Sequence, residues 1–403
     1  MKRILFVDDE VPVLEGLRLR LHRLSGKWTM EFVDSGALAI ERMQQQSYDV
    51  VVTDMRMPTM DGATLLETVS ARWPQTIRIV LSGYSEVQQT VRLVPFAHQY
   101  LSKPCKPEQL ENVIERCLLL QDLLNEPRLR AITGRIRRLP SLPRVYAALQ
   151  AAARDDTVSL AQVAKLVSDD SAIAARVLQI VNSAFFRLAR RISNIEQAVS
   201  YLGIAAIRNL AMSVEIFSRW PGGAGAELDL GKLQVHAHSV AAAAAALAAK
   251  TPFADDAVLA GLLHDIGYWV LVQECPEDLM KAVDLAIARQ IPMYVAESEI
   301  LGASHAEIGA YLLGIWGLPY SVVEAVAHHH QPGRVTHAEF DVLGAVVIGH
   351  SLASTDDAAA FRRSVPADAK VDHDYLSVVR APFDWDEAVR RVSETRESEG
   401  VIE

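Results

Sequence analysis

Four short stretches near the N-terminus contain polar residues whose types and spacing suit phosphate chemistry. Asp8 and Asp9 follow ILFV, Asp54 follows YDVVVT, Ser82 follows IRIVL, and Lys103 stands just before a proline. A carboxylate can form an acyl phosphate, paired acids can hold Mg²⁺, and a lysine with a hydroxyl can bind phosphoryl oxygens. The set therefore predicts Mg²⁺-assisted transfer of a phosphoryl group to a carboxylate.

Charge determines the role that we expect of each residue. Asp54 is the expected nucleophile, and the acid pair that precedes it in the chain is expected to hold Mg²⁺. The lysine and the serine would donate to phosphoryl oxygens, which carry negative charge during transfer. Tyr100 would move as Ser82 swings toward the phosphate. A site of this kind makes the chain a regulated switch.

The polar residues follow apolar runs that read as buried parallel strands. These runs are residues 4–7, 50–53, 77–81 and 99–101, and the helical patterns between them include residues 13–24, 37–43 and 64–72. Strand and helix alternate, which predicts an open, doubly wound parallel sheet of the α/β class. Ligands of such sheets bind at the carboxyl ends of the strands, which is where the polar residues stand.

Residues 1–122 resemble the receiver domains of two-component response regulators. The matching pieces are VDDE, DMRMPTMDG, LSGYS and YLSKP. The resemblance implies a five-stranded, flavodoxin-like sheet and a sensor histidine kinase as the phosphoryl donor. It also implies residue roles: Asp54 as phosphoacceptor; Asp9, Asp54 and the Arg56 carbonyl as Mg²⁺ ligands; Asp8 acting through water; Ser82 as switch hydroxyl; and Lys103 as phosphate-binding lysine.

Composition narrows the function classes. The chain has 403 residues and a formal net charge of −10, and no later basic stretch resembles a recognition helix, which argues against DNA binding. Cys105, Cys117 and Cys275 are scattered, which suits a reducing cytoplasm. We expect no signal peptide, because Met1 leads almost directly into a strand. We expect no membrane span, because the longest apolar stretch, residues 240–249, is too short.

Beyond the receiver-like region the pattern becomes helical. Residues 107–124 predict the last helix of that region, and a second helix at 129–137 would complete a connector over residues 123–138. Helical spacing recurs without strand signals in residues 145–154, 160–168, 171–183, 195–202, 204–219, 234–249, 254–274, 280–289, 294–301, 305–316 and 320–329, and again in 385–392. This predicts an all-α bundle over residues 139–355. For the C-terminal segment, 356–403, the sequence indicates no function.

A second set of residues suited to chemistry lies in the helical region. His264 and Asp265 stand side by side in the apolar stretch LAGLLHDIGYWVL, where burying them without partners is costly. Further histidines occur around them: His238, His305, the run of three at 328–330, and His350. Imidazole and carboxylate suit Zn, Fe or Mn, and two ions about 3.5–4 Å apart could activate a water for attack on phosphorus.

Residues 139–355 resemble the HDOD family, relatives of the HD-type phosphohydrolases. The matching pieces are LPSLP, DDSAIAARVLQIVNSAFF, ISNIEQAVSYLG, HSVAAAAAALA, LAGLLHDIG, HAEIGAYLLGIWGLP and HHQP. Against the ligand set of the catalytic cousins, His238 matches the first histidine, His264 and Asp265 the HD pair, His305 the next histidine, and His329 with His330 the paired histidines. His350 stands where the cousins have an aspartate, and Tyr268 where a lysine often follows HDIG. The GYP segment of cyclic di-GMP phosphodiesterases is absent.

Two hypotheses for the whole chain follow from these resemblances. In the first, a histidine kinase phosphorylates Asp54, and the helical domain relays the change through protein contacts without turning over a substrate. In the second, the receiver gates a metal-dependent phosphohydrolase or phosphodiesterase that acts on a nucleotide or cyclic dinucleotide. Fe, Mn or Zn would occupy the histidine site in that case. A homodimer formed through the receiver or the connector is compatible with both hypotheses.

Overall fold

The computed structural model of the chain describes residues 1–82, 96–103, 105, 107–123, 132–133, 139–140, 149, 152, 158–182, 191–202, 217–218, 228–335, 339–353, 360–361, 363–366 and 377–398. Within these residues a five-stranded parallel sheet forms the N-terminal part, and helices make up most of the rest. The predicted fold class is thereby confirmed. Across the described helices, none has both the length and the apolar character needed to cross a membrane.

The N-terminal sheet carries the residues that were predicted to bind phosphate. Its strands are β1 (Lys2–Val7), β2 (Trp28–Val33), β3 (Val50–Asp54), β4 (Ile77–Ser82) and β5 (Gln99–Ser102), all parallel, in the order β2-β1-β3-β4-β5. The helices around it are Val11–Leu21, Gly36–Gln45, Gly62–Arg72 and Pro107–Leu123, with a 3-10 turn at His22–Leu24. Because β1 has β2 on one side and β3 on the other, the strand order reverses at β1. Ligands of doubly wound sheets bind at such a reversal.

Apolar side chains cover both faces of this sheet. Val50 and Val52 of β3 pack with Ile114 on one face, whereas Val51 packs with Leu65 on the other. Burial on both faces explains why β3 reads as a continuous apolar run instead of an alternating one. The two helical layers thus hold the strands rigidly and fix where their carboxyl ends lie.

The C-terminal part is built from helices around one large apolar cluster. The helices are Leu160–Ser168, Ser171–Val181, Leu230–Leu247, Ala254–Leu263, Gly267–Glu274, Pro276–Arg289, Met293–Leu301, His305–Ile315, Tyr320–His328, Val342–Leu352 and Trp385–Ser398, with a 3-10 turn at Pro332–Arg334. Three predicted helices, at 129–137, 145–154 and 204–219, lie largely outside the described residues.

Two features of the helical part correct the prediction. Residues 254–274, predicted as one helix, form two, because the chain turns tightly at 264–266 before a new helix begins at Gly267. A Cβ on Gly267 would lie 1.9 Å from the carbonyl oxygen of His305, so a glycine is needed where these two segments meet. The region is also not purely helical, because Leu139–Pro140 pairs in parallel with Phe217–Ser218.

The run of alanines in the helix Leu230–Leu247 lets two other helices approach it closely. A Cβ on Gly261 would lie 2.8 Å from the Cα of Ala241, and a Cβ on Gly349 would lie 3.2 Å from the backbone nitrogen of Ala244. The three helices therefore pack almost backbone to backbone. This close packing sets the distances between the side chains that they carry.

The C-terminal helix Trp385–Ser398 packs against two of the same helices. Phe383 and Val392 form an apolar cluster with Ala243 and Ile348, and all four side chains are buried. The helix predicted at this position is confirmed and extends further than predicted. The C-terminal segment thus covers the outer side of the helices to which Ala243 and Ile348 belong.

Candidate functional site

Asp8, Asp54 and Lys103 meet at the carboxyl ends of β1, β3 and β5. The Lys103 ammonium lies 2.7 Å from Asp8 Oδ2 and also forms an ion pair with Asp54 Oδ1. The other oxygen of Asp54 accepts the backbone N–H of Arg56 at 2.9 Å, and Asp8 Oδ1 accepts that of Glu10 at 3.0 Å. Both carboxylates are buried. Three of the side chains predicted for phosphoryl transfer are therefore in direct contact.

Burial and charge act in opposite directions on this site. Burial raises the pKa of Asp54 above its ordinary value, and the ion pair with Lys103 offsets part of that shift. Burial by itself would lower the pKa of Lys103, but contact with Asp54 and Asp8 outweighs it and raises the pKa. The lysine therefore stays protonated at neutral pH, and its positive charge is available to an anionic group bound at this edge.

The other residues predicted for this site belong to the same sheet edge. Asp9 is partly exposed just after β1, and Arg56 is exposed in the loop after β3. Ser82 is the last residue of β4 and Tyr100 lies in β5, but the structure does not describe the side chains of either. Gly62 approaches the end of β3 so closely that a Cβ would lie 2.2 Å from the carbonyl oxygen of the last β3 residue. The MPTMDG stretch therefore requires its glycine for this packing.

The histidine-rich site consists of two neighbouring groups of side chains. Asp265, His305, His329 and His330 form the first group, and His236, His264 and His350 form the second. Within each group the candidate ligand atoms lie within 4.8 Å of one another. They come from several helices and from the turns that follow them. Imidazole nitrogens with one carboxylate are a donor set suited to Zn, Fe or Mn.

Asp265 belongs to the first group but also faces the second. Its Oδ2 is 3.1 Å from His264 Nε2 and 3.9 Å from His236 Nε2, and its Oδ1 is 3.4 Å from His305 Nε2 and 3.8 Å from His329 Nε2. Within the described part of the chain, neither oxygen accepts a hydrogen bond of good geometry. A buried carboxylate in this position is costly unless protons or cations lie between it and the rings. The arrangement fits a carboxylate that, together with the imidazoles, would hold metal cations.

Backbone carbonyls fix the orientation of two of the rings. Nδ1 of His264 lies 2.7 Å from the Gly261 carbonyl oxygen, and Nδ1 of His329 lies 2.9 Å from the Val326 carbonyl oxygen. A carbonyl oxygen can only accept, so each Nδ1 carries a proton, and in the neutral ring Nε2 is left with its lone pair. Both Nε2 atoms face Asp265. Neutral imidazoles held in this way are ready to bind a metal through Nε2.

Electrostatics favour the ligating protonation states of His329, His350 and Asp265, whereas they favour the protonated form of His305. Burial lowers the pKa of His329 and of His350 well below the ordinary value, and neighbouring imidazoles lower both further. Burial by itself would raise the pKa of Asp265, but His264 and His305 outweigh it and lower that pKa well below its usual range. Neutral imidazoles and an ionised carboxylate are the forms that coordinate metals.

His236, and not His238, takes the place that the resemblance assigned to the first histidine. The His236 ring is fully buried, and its Nε2 lies 3.2 Å from that of His264. The His238 Nε2 instead contacts the Ser168 carbonyl oxygen at 2.9 Å. Two residues correspond to about 200° of rotation along a helix, so these two rings point in nearly opposite directions. The structure thus brings His236, and not the predicted His238, close to the other imidazoles.

Glu297 is a second residue that the sequence analysis missed. Its Oε2 lies 2.7 Å from His305 Nδ1 and accepts the His305 backbone N–H at 2.8 Å. Tyr268 stacks on the same imidazole, with ring centroids 4.0 Å apart, and His330 Nε2 lies 2.9 Å from His305 Nε2. Burial by itself would lower the pKa of His305, but Glu297 and Asp265 outweigh it and raise the pKa well above its ordinary value. This ring is therefore fixed from several sides.

The receiver and the helical part touch through β5 and the residues before it. Gln99 is buried and donates its side-chain N–H to the carbonyl oxygen of Ile315 at 2.6 Å. In return, the Gln179 side chain donates to the carbonyl oxygen of Ala97 at 3.3 Å. Ile315 is the last residue of the helix His305–Ile315. One helix thus has a cluster histidine at its start and a receiver contact at its end.

His98, in the same contact region, is expected to make folding stability sensitive to acid. Burial, and then the charges of Arg78 and Arg176, lower its pKa well below the ordinary value. Below about pH 6.5 the unfolded chain therefore binds a proton that the folded chain does not, so stability falls with pH by up to roughly 1.4 kcal/mol per unit. Between about pH 7.5 and 5.5, the unfolding temperature of wild type should drop more than that of His98→Gln. Equal drops would show that His98 does not contribute.

Family models match the two parts of the chain separately. A response regulator receiver domain matches residues 4–115, and an HDOD domain matches residues 139–332. The chain therefore carries a receiver domain and, after it, an HDOD domain. This combination indicates a response regulator of a two-component system. Both matched ranges lie inside the domain boundaries predicted from the sequence, which stay predictions.

Curated relatives resemble parts of the chain. An uncharacterized protein of Treponema pallidum (strain Nichols) is 32% identical over 208 residues, which cover 50% of this chain and 39% of that protein. The hydrogenase transcriptional regulatory protein HoxA of Bradyrhizobium diazoefficiens is 30% identical over 148 residues, which cover 35% of this chain and 30% of HoxA. The chain thus spans well under two thirds of the length of either relative.

Solved structures resemble the chain to a limited extent. The MmoQ response regulator from Methylococcus capsulatus str. Bath is 20% identical, with a TM-score of 0.49, and the match covers 64% of this chain and 98% of that one. The signal receiver domain of an HD domain-containing protein from Pseudomonas fluorescens Pf-5 is 28% identical, with a TM-score of 0.29. That match covers 30% of this chain and 97% of the other.

Proposed function

We propose that a histidine kinase phosphorylates Asp54 and that the phosphorylated receiver changes its contact with the helical domain. The observation that carries this proposal is the contact of Lys103 with both Asp54 and Asp8. An oxygen of Asp54 would attack the phosphorus of a phosphohistidine, the P–N bond would break, and Asp54 would hold the phosphoryl group as an acyl phosphate. The Lys103 ammonium would then pair with a phosphoryl oxygen.

The acids at this edge fit Mg²⁺. Asp8, Asp9 and Asp54 bring three carboxylates together with one ammonium, so the site has an excess of negative charge that suits a divalent cation. These carboxylates and the Arg56 carbonyl would hold the ion, whose chemistry is to neutralise charge on the phosphoryl oxygens. Uptake of a phosphoryl group from acetyl phosphate tests the assignment, because uptake should require both Asp54 and free Mg²⁺.

The contact between β5 and the helical domain supports a direct route for the signal. Gln99 lies two residues after Ala97 and four residues before Lys103, which pairs with Asp54. When Lys103 shifts to a phosphoryl oxygen, β5 is expected to shift with it. The hydrogen bond from Gln99 to Ile315 would then weaken or break. A buried carbonyl left without its donor costs about 1–3 kcal/mol, which is enough to change a domain contact.

A second candidate function, a metal-dependent phosphohydrolase or phosphodiesterase, is favoured by the position of Asp265. Its two oxygens face different groups of imidazoles and accept no hydrogen bond of good geometry from the described residues. The donor set therefore fits a pair of Fe, Mn or Zn ions, whose chemistry would be to activate a water toward phosphorus. Asp265, His264 and His329 would be among the residues that hold the ions.

Access to the cluster limits which phosphoesters could react there. His236, His264 and His305 have no exposed surface, whereas His330 and His350 are partly exposed. A substrate would therefore approach from the side of these last two rings. Hydrolysis of cyclic dinucleotides and nucleotides by the metal-loaded protein tests this function. Absence of turnover in protein that holds the metal would leave the first proposal, a signalling role for the helical domain.

A further inference from the structure

We infer that Glu297 is a positioning residue that holds His305 as a metal ligand. This inference rests on the metal centre proposed above and assigns a role to a residue outside the two ligand groups. It follows from how the carboxylate is buried, from what its oxygens touch, and from where the opposite nitrogen of the His305 ring points.

Glu297 is a fully buried acid, and its hydrogen bonds among the described residues are both made with His305. It lies on the helix Met293–Leu301 between Met293 and Leu301, which are both buried on the same face, and it has no exposed surface itself. One oxygen, Oε2, accepts hydrogen bonds from both the ring Nδ1 and the backbone N–H of His305. Oε1 has no hydrogen-bond partner among the residues that the structure describes. The contacts with His305 therefore offset the cost of burying this acid.

The contact determines which nitrogen of His305 faces the cluster. A carboxylate that accepts from Nδ1 keeps the proton on that atom and directs Nε2 toward the metal side. His305 Nε2 lies 3.4 Å from Asp265 Oδ1 and 2.9 Å from His330 Nε2. A ligating histidine whose other nitrogen is bound by a carboxylate is a more basic ligand with a fixed ring plane. Glu297 thus acts on a metal through His305.

Contact with the start of the helix His305–Ile315 accounts for only one of the two hydrogen bonds between Glu297 and His305. Ser304 and Glu307 already form a capping box at this helix start, in which Ser304 Oγ accepts the Glu307 N–H and Glu307 accepts the Ser304 N–H. The extra carboxylate adds a contact to the imidazole that no cap requires. Glu297 accepts the first N–H of this helix as well, but it is the contact with Nδ1 that fixes the orientation of the imidazole.

The test compares Glu297→Gln with Glu299→Gln, using Zn²⁺ and a chromophoric chelator in competition. Glu299 lies on the same helix but is exposed and pairs with Arg289 at 2.7 Å, so it is a matched control. We expect Zn²⁺ affinity to fall about 10- to 100-fold in Glu297→Gln and to stay unchanged in Glu299→Gln. The Co²⁺-loaded absorption spectrum should also shift in Glu297→Gln alone, which a general loss of stability would not produce.

Each outcome separates this inference from the proposed metal centre. Wild-type affinity and spectrum in Glu297→Gln would overturn the role of Glu297 while leaving the centre intact. Failure of the wild-type protein to bind Zn²⁺ or Co²⁺ would overturn the centre and the inference together. If Glu297→Gln does not fold, Glu297→Asp replaces it, because it keeps the charge but shortens the reach. Affinity equal to wild type in that folded variant would also count against the inference.

Discussion

The Asp54→Asn variant is expected to take up no phosphoryl group from acetyl phosphate above background. The amide of asparagine cannot form an acyl phosphate. Asp54 is the carboxylate at the end of β3 that pairs with Lys103. Wild-type protein with Mg²⁺ should gain one phosphoryl group, visible in the intact mass and as a shifted band on a phosphate-affinity gel. Chelation of Mg²⁺ should prevent the gain, because the ion is expected to offset the negative charge of the neighbouring acids and of the incoming phosphoryl group.

Asp49→Asn is the matched control for this experiment. Asp49 precedes β3 at the opposite end of the same strand, where its side chain accepts the backbone N–H of Arg3 at 2.8 Å. It should be phosphorylated like wild type, because the reacting edge is untouched. Equal phosphorylation of Asp54→Asn and wild type would refute the assignment of Asp54.

Purified wild-type protein is expected to contain about one or two equivalents of Fe, Mn or Zn, and the double variant His264→Ala, Asp265→Ala to contain none. The double change removes the carboxylate of the first group and one imidazole of the second group. Elemental analysis by plasma mass spectrometry measures the difference. A folded double variant with the wild-type metal content would contradict the proposed centre.

Two single variants distinguish the structural assignment from the sequence-based one. His236→Ala should lose metal, because the His236 ring faces His264 within the cluster. His238→Ala should retain it, because the His238 ring contacts the Ser168 carbonyl instead. The reverse result would mean that the first histidine position is His238, as the resemblance implied.

The meeting of Asp8, Asp54 and Lys103 at one edge could be predicted because it depends on strand ends. Asp54 and Lys103 each stand at or just after the end of a strand, and parallel strands bring such positions to one edge whatever the helices do. The apolar-run criterion nevertheless missed β2. This strand reads WTMEFV at the edge of the sheet, and Thr29 with Glu31 interrupt its apolar pattern. Only the resemblance to receiver domains implied a fifth strand.

The histidine cluster was harder to predict because its members are brought together by tertiary packing. A helical register could have indicated His236, which shares a face with the buried residues Val240 and Ala243, at i+4 and i+7. Similarly, Glu297 stands four residues after Met293 and four before Leu301. This helical spacing places the acid on the buried face, where it requires a hydrogen-bonding partner. The sequence motif alone favoured His238 and gave no reason to consider Glu297.

The break of the helix at 264–266 could not be read from periodicity. Apolar residues continue through LAGLLHDIGYWVL, so the pattern on both sides of the turn looks helical. The turn depends on Gly267, whose missing side chain lets the segment approach the His305 carbonyl. It also places His264 and Asp265 where both side chains reach the cluster. Tertiary contact, not local propensity, determines this feature.

The measurement that tests the central claim most directly is amide hydrogen exchange of the full-length protein with and without beryllofluoride and Mg²⁺. If phosphorylation of Asp54 controls the helical domain through β5, exchange should change both in residues 96–102 and in residues 314–318. Neither change should occur in Asp54→Asn. Gln99→Ala should respond only in the receiver, whereas Gln45→Ala, which alters an exposed side chain bonded to Glu41, should behave like wild type.

A wild-type response confined to the receiver would contradict the account, because the direct contact from Gln99 to Ile315 would then not transmit the change. A response of residues 314–318 that persists in Asp54→Asn would contradict it as well, since the signal would not originate at Asp54. Coupled changes in the two segments that require both Asp54 and Gln99 are the result that the structure predicts.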